Sequence, residues 1–327
     1  MKPAPPNRVS IGMPVYNGEK YIREALDSIL AQTYPHFELL ISDNASTDST
    51  GEICRAYAAR DPRIRYCRNE KNIGIAKNFN RVLELSSGEY FRWASHDDRM
   101  EPAFLASCLA ELDRDPDLVL CETRCKIIDA SGDVIGEMQL NPLKLGSRHR
   151  HVRLGYLLRT ERGGAAEYFG LMRSSVLKES GLMRDYPGGE NPLRAELGLR
   201  GRIGVVPEHL FCFRRHAEQY YRLHHALHAD VEWSGGTQAC KHVYPHWSRL
   251  RDYCRLVRLV PMSGRERLLC YGQVACWIFV GLNWARLLTD PAWNLLPGLW
   301  SPYYRLKRRV FRKVGHDLPL AGSDPRS

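Results

Sequence analysis

Two nucleotide-binding signatures are missing from this 327-residue chain. No G-x-G-x-x-G follows the first apolar run, and no G-x-x-x-x-G-K-S/T occurs anywhere. A dinucleotide-binding dehydrogenase and a P-loop NTPase are therefore disfavoured. The opening MKPAPPNRVS has no apolar h-region, so it does not read as a signal peptide. A frayed lead-in to the first strand is expected there. No segment repeats at a solenoid period. Ten cysteines are scattered, and only Cys121 and Cys125 approach metal-type spacing, with no second pair to answer them. They predict reduced, mostly buried thiols in the cytosol rather than a zinc site.

Acidic residues are the minority charge: 37 Asp and Glu stand against 47 Lys and Arg, a net +10. The excess is local, because residues 301–327 hold seven Lys/Arg and two Asp. Such a cluster fits acidic lipid headgroups or nucleic acid, or forms a solvated helix face. Hydrophobic content of 44% and charged content of 26% suit an ordinary globular chain, with one large domain or a domain plus an appendage.

The apolar pattern alternates between strand and helix. Residues 8–13 are an apolar run that Pro14 should end. Tyr21, Ile22, Ala25, Leu26, Ile29 and Leu30 keep a helix period over 19–32. Strands follow at 37–41, 64–67 and 89–95, with helices at 49–60, 75–86 and 102–113, and a further strand at 117–123. Asp48 is placed to cap the second helix, and Gly88 to close the third. Five alternations in about 120 residues predict a parallel-rich sheet with helices on both faces. Ligands of such sheets bind at the carboxyl ends of the strands. Polar residues gather at four such ends: Pro14 to Asn17, Asp43 to Asp48, Asn72 to Asn78, and His96 to Asp98.

Beyond residue 125 the pattern predicts a hairpin turning at Ser131-Gly132, helices at 151–159 and 190–200, and strands at 168–172 and 204–214. From about 222 a helical segment is expected. Residues 268–288 are long enough to span a bilayer but contain Gln273, Asn283 and Arg286, which favours a packed or interfacial helix. Trp277, Trp284, Trp293 and Trp300 beside the basic tail add to a membrane-contact reading.

Four groups carry candidate chemistry. Asp97 and Asp98 close an apolar strand and suit Mg²⁺ or Mn²⁺ across a diphosphate; the plainer reading is a cap for the helix near Pro102. Asp43 can accept from a nucleobase imide or form an Asx-turn. Lys77 and Arg81 lie four apart on a helix, facing either a diphosphate or solvent. Glu190, after Gly188-Gly189, is a general base or a helix-start carboxylate, and His216 a metal ligand, a diphosphate donor or neither.

The segments VSIGMPVYNGEKYIREALDSILAQTY, FELLISDNASTDST, NIGIAKNFN and GEYFRWASHDD, in this order, resemble the family 2 glycosyltransferases. ENPLRAELGLRGRIGVVPEHLFCFRRH is similar to the acceptor half of that family, so the resemblance covers roughly residues 8–216. It implies the GT-A fold: an α/β, nucleotide-binding mixed sheet flanked by helices, here with a helical C-terminal extension. The implied division is a glycosyltransferase domain over 1–220, with a nucleotide-binding half at 8–125 and an acceptor half at 126–220. A basic helical region at 221–327 follows.

The implied reaction moves a sugar from a nucleotide diphosphate donor, a UDP-sugar by the family's habit, to a glycan or lipid-linked acceptor. It proceeds with inversion and uses Mg²⁺ or Mn²⁺. By the same resemblance Pro14, Val15, Tyr16 and Asn17 line the nucleoside pocket and Asp43 reads the base. Asn72, Gly74 and Lys77 border ribose and diphosphate, and Asp97 faces the donor. Asp98 and His216 take the metal, and Glu190 is the base. Two departures stand out. His96 occupies the place where the acidic motif usually begins with Asp. The usual Glu-Asp pair of the base region reads Gly189-Glu190-Asn191-Pro192, which leaves Glu196 and Asp185 as alternatives. The implied setting is cell-envelope or exopolysaccharide synthesis at the cytoplasmic face of an anionic membrane, with no nucleic-acid partner. The competing reading is a non-catalytic nucleotide-sugar-binding or scaffolding protein. A sugar-1-phosphate nucleotidyltransferase is disfavoured, because its Gly-rich basic signature is absent near the amino terminus.

Overall fold

A computed structural model describes residues 8–161, 167–216 and 244–295. The lead-in before residue 8, the start of the expected helical segment at 222–243, Trp300 and the basic tail lie outside the described residues, as does the side chain of Trp293.

The first half is the alternating unit that the pattern predicts. Strands β1 (Val9–Val15), β2 (Phe37–Asp43), β3 (Ile64–Arg68) and β4 (Tyr90–Trp93) pair in parallel in the order β3-β2-β1-β4. Helices α1 (Ile22–Leu30), α2 (Thr50–Ala58) and α3 (Ile75–Glu84) connect them. β1, β2 and β4 are buried along their whole length, as expected for strands covered on both faces. Helix α1 turns Ile22, Ala25, Leu26 and Ile29 inward, and those side chains are buried. Pro14 does not end β1. The strand pairs with β2 through Val15 but with β4 only through Gly12. Gly12 O accepts from Ala94 N on the β4 side, and Pro14 faces the same side two residues on, where no partner needs its missing N–H.

The second half adds β5 (Arg99–Met100), α4 (Phe104–Arg114), β6 (Leu118–Ile128), β7 (Val134–Met138), α5 (Pro142–Leu145), α6 (Arg150–Arg159), β8 (Leu171–Arg173), α7 (Ser174–Lys178), α8 (Glu190–Arg200) and β9 (Arg202–Arg214). The sheet continues β4-β8-β6-β9-β5 with mixed directions, and β7 pairs with β6. The strand expected at 168–172 is shorter, because residues 167–169 form a 3-10 turn before β8. Gly88 does not close α3. It lies against β1, where its N–H donates to Ser10 Oγ at 2.8 Å.

Helices α9 (Pro245–Leu259), α10 (Gly264–Phe279) and α11 (Asn283–Leu295) form a layer on α6 and α8. Their own core includes Leu154, Leu199, Tyr253, Val257, Val274 and Trp277. The apolar stretch Gly264–Pro291 has the length and hydropathy of a membrane span. It breaks at Val280–Leu282, where Gly281 (φ 51°) and Leu282 (φ 65°) leave the helical region. Sixteen residues of α10 rise about 24 Å, short of a hydrocarbon core of about 30 Å, and the break frees backbone groups that lipid cannot satisfy. Trp277 is core, edge-on to Tyr253 at 5.4 Å, whereas Trp284 is half exposed.

Buried Glu38 joins three segments. It accepts from Ser10 Oγ (2.6 Å), Ser87 N (2.9 Å) and Ser87 Oγ (2.8 Å). Burial alone would raise its pKa, but the Ser10 and Ser87 hydrogen bonds outweigh it and hold the pKa below the usual glutamate value. Glu38→Ala should cost about 1–3 kcal/mol at neutral pH by leaving those donors unpaired. The carboxylate's share is present above the ordinary glutamate pKa and is lost as pH falls through the lowered folded value. Urea unfolding of both proteins at several pH values should show the gap closing in acid.

Candidate active site

The carboxyl ends of β1, β2, β3 and β4 converge on one polar rim. Asn17, after β1, accepts from Thr47 N at 2.8 Å and donates its own N–H to Ser46 Oγ at 3.0 Å. Gly18 N donates to Thr50 Oγ1 at 2.8 Å. Pro14 and Val15 are buried beneath this loop and Tyr16 is 45% exposed. Asp48 accepts from Thr50 N, as expected of a residue at the start of α2.

Asp43, at the end of β2, is fully buried. Its Oδ1 accepts from Ser46 N (2.8 Å), the Asx-type turn, while Oδ2 accepts from Tyr66 Oη (2.7 Å) and Arg68 Nη1 (2.9 Å). Both donors come from β3, whose Arg68 lies in register with Asp43. Their two-residue spacing on a strand beside Asp43 is the signal that the sequence carries for this contact. Asn72 accepts from Asn44 Nδ2 (2.8 Å) and Gly74 N (2.9 Å), which fixes the approach to α3. Lys77 is more exposed and pairs with Asp185 at 3.4 Å.

The acidic pair is not a helix cap. β5 follows it directly, and α4 begins at Phe104 with no side-chain cap. Both carboxylates are instead buried against the end of β9. Asp98 Oδ1 accepts from Arg214 N at 2.9 Å, and Arg214 Nε donates to Asp97 O at 2.8 Å. The Arg214 guanidinium lies 4.7 Å from the Tyr21 ring centre and pairs with Glu24 at 2.5 Å. Asp97 Oδ2 meets His216 Nε2 at 3.0 Å and its Oδ1 accepts from Ser95 Oγ. Burial pushes the Asp97 pKa up, but hydrogen bonding to His216 and Ser95 and the nearby His96 bring it below the usual range. Burial, then the Asp97 charge, drive that of Asp98 well up.

Asp98 Oδ2 and His216 Nδ1 are buried and have no hydrogen-bond partner among the described residues. A carboxylate oxygen and an imidazole nitrogen are each atoms that a divalent cation takes. Asp97, engaged through both oxygens, is placed to orient His216 as a carboxylate behind a histidine ligand does.

Glu190 opens α8 and accepts from Asn191 Nδ2 at 3.3 Å. Burial raises its pKa, partly offset by the backbone and by Arg249 and Arg194. Tyr168, on the 3-10 turn, feels the charge of both Glu190 and the acidic pair. Burial and the charges of Glu190, Asp98 and Asp97 together hold the Tyr168 hydroxyl well above its usual pKa. The alternative bases are committed elsewhere. Glu196 binds Gly181 N and Arg200, and Asp185 is exposed beside Lys77. His149, His151 and Glu266 form a separate cluster at the junction of α6 and α10, with ligand atoms within 4.8 Å of one another. The His151–Glu266 contact of 3.0 Å already joins those helices.

His96, the odd member of the acidic motif, packs its ring over Gly18. A methyl group at Gly18 would lie 2.6 Å from His96 Cδ2 and 2.9 Å from Val15 Cγ2. Gly18→Ala should therefore destabilise by about 1–3 kcal/mol through overpacking. Adding His96→Ala should recover most of that loss, and a double-mutant cycle by thermal unfolding measures the coupling.

Comparison with known proteins agrees with this geometry. The family model described as "Glycosyl transferase family 2" matches residues 10–181. An uncharacterized protein of Mycobacterium tuberculosis is 33% identical over 270 residues, spanning 80% of this chain and 71% of the relative. The chondroitin synthase of Escherichia coli is 37% identical over 127 residues, 39% of this chain and 18% of the synthase. Among solved structures, S. aureus TarS 1-349 in complex with UDP-GlcNAc superposes with a TM-score of 0.60 at 18% identity, covering 83% of this chain and 72% of that one. The mixed sheet with its helical C-terminal extension is the GT-A-like fold of that neighbour. Its strand-end rim lies inside the stretch that the family model spans, and the chain belongs to glycosyl transferase family 2.

Proposed function

We propose that this glycosyltransferase moves a sugar, with inversion, from a UDP-sugar to a hydroxyl of a glycan or lipid-linked acceptor, in cell-envelope or exopolysaccharide synthesis. The observation that carries the reading is the buried, unpartnered Asp98 Oδ2, next to an Asp97 that holds His216, on the rim where β1, β2 and β3 lead into Asn17, Asp43 and Asn72. Similar proteins support the chemistry: one is TarS in complex with UDP-GlcNAc, and another is a chondroitin synthase.

Asp43 and Arg68 would meet the uracil edge as a pair, since the part-exposed Arg68 bonds the fully buried carboxylate. Asn17 and the backbone of Pro14 to Tyr16 would flank the nucleoside, and Asn72 and Gly74 the ribose and diphosphate. Lys77, now paired with Asp185, can swing to the diphosphate at little cost because exposed pairs are weak. Asp98 and His216 would hold Mg²⁺ or Mn²⁺, with Asp97 orienting His216. The bound ion would neutralise charge on the departing diphosphate. Glu190 accepts the proton of the acceptor hydroxyl as that oxygen bonds to the anomeric carbon. The bond to the diphosphate breaks on the opposite face, and the electron pair leaves with the phosphate.

A membrane setting is supported by α10, α11 and the break between them, which expose Leu268, Phe279, Leu282, Trp284 and Leu288. The break at Gly281 favours lying along an interface over crossing it.

Asp98→Asn should lower transfer by about 100-fold or more with the melting curve preserved. Full transfer by that variant would remove the metal role. Chelation of divalent ions should stop transfer, and Mg²⁺ or Mn²⁺ should restore it. Glu190→Gln should lower kcat by about 10²–10⁴-fold. Because the Glu190 pKa is raised and the ionised form is the base, the acid limb of kcat/KM should lie above the usual glutamate range, near 4.3.

A further inference from the structure

The helical layer reaches the acceptor side of the site through Arg249 of α9. Arg249 Nη1 pairs with Glu161 Oε2 at 3.0 Å, with both side chains largely buried. Tyr253, one turn along α9, donates its hydroxyl to the other Glu161 oxygen. The guanidinium lies 5.8 Å from the centre of the Trp277 ring on α10. Its Nε is buried without a partner among the described residues.

The same side chain rests against the loop that delivers Glu190. A methyl group at Gly188 would lie 3.6 Å from Arg249 Cδ and Cζ, so the guanidinium is in contact range of the backbone two residues before Glu190. Gly188 is left-handed (φ 81°), which lets the chain turn at that contact. A second tie holds the loop to α9, because Tyr186 Oη donates to Asp252 Oδ2 at 2.6 Å.

We propose that Arg249 is a positioning residue for the acceptor base: α9 fixes the Gly188–Glu190 turn and sets a guanidinium against it. The proposal rests on the reading of Glu190 as the base. An ion pair this buried carries a desolvation penalty of several kcal/mol, so packing alone is a weak reason for its presence. The charged and titratable groups around Glu190 are Arg194 on α8, Arg249 on α9, Glu161 after α6 and Tyr168 on the 3-10 turn. Arg249 and Arg194 favour the carboxylate, whereas Glu161 opposes it. Losing Arg249 therefore removes a favourable charge and also leaves Glu161 uncompensated.

The test uses the full chain and reads kcat, donor KM, the pH profile of kcat/KM and the melting temperature. Arg249→Met should lower kcat at least tenfold, leave donor KM within about twofold, and move the acid limb upward by about one pH unit. Arg249→Lys should return the limb toward its native place. Glu161→Gln should move the limb the other way, a response that loss of packing does not produce, and it serves if Arg249→Met does not fold. An acid limb that stays in place in both Arg249→Met and Glu161→Gln would overturn the proposal. Equal losses of activity in Arg249→Met and Arg249→Lys, matched by equal loss of folded protein, would also overturn it. Glu190→Gln separates the two levels: if it keeps the native limb, the base assignment fails. If it loses the limb while Arg249→Met does not move it, only the role of Arg249 fails.

Discussion

Burying two adjacent carboxylates is the costly act on which this structure depends, and the end of β9 makes it possible. Asp97 and Asp98 follow closely on a fully buried strand, where an unpaired carboxylate costs several kcal/mol. Arg214 and His216, more than a hundred residues later, supply a backbone N–H, a guanidinium and an imidazole. That closure ties the parallel half of the sheet to the mixed half. It satisfies two of the four oxygens, Ser95 satisfies a third, and Asp98 Oδ2 is left over. A carboxylate pair that is bonded except at one buried oxygen is prepared for a ligand of opposite charge.

The parallel half was legible in the sequence because its signals are local. The periodicity of α1, the apolar runs of β1, β2 and β4, and the polar residues after each strand gave element type and the position of the rim. Pro14 misled because a proline's cost depends on which neighbour its missing N–H would face, and β4 stops pairing two residues earlier. The aspartate pair was separable from a cap only once β5 and α4 had been seen. The acceptor side was harder to read. Tyr168 and Arg249 matter through partners on other elements, a relation that one-dimensional spacing does not carry. Trp277 went astray for the same reason: its apolar ring fits a membrane or a core, and Tyr253 makes it core.

The helical layer has two faces with different duties. Its inner face packs Tyr253, Val257 and Trp277 against α6 and α8, and α8 carries Glu190 at its first residue. Its outer face leaves leucines, a phenylalanine and a tryptophan exposed on α10 and α11. An acceptor held at a membrane surface would then approach a base whose turn is braced by the same layer. His96 packs over Gly18 in the β1–α1 loop and stands beside Asp97. A histidine in that place keeps the acidic loop close to the β1–α1 loop without adding a third carboxylate.

The central claim is that the strand-end rim binds a uridine diphosphate and a divalent cation together, with Asp98 as the cation's anchor. Titration calorimetry of UDP into the full chain, with and without Mn²⁺, tests it most directly. The account predicts that UDP binds tightly only when Mn²⁺ is present, and that Asp98→Asn removes the Mn²⁺ dependence. UDP affinity that is the same with and without Mn²⁺ in the native protein would contradict it.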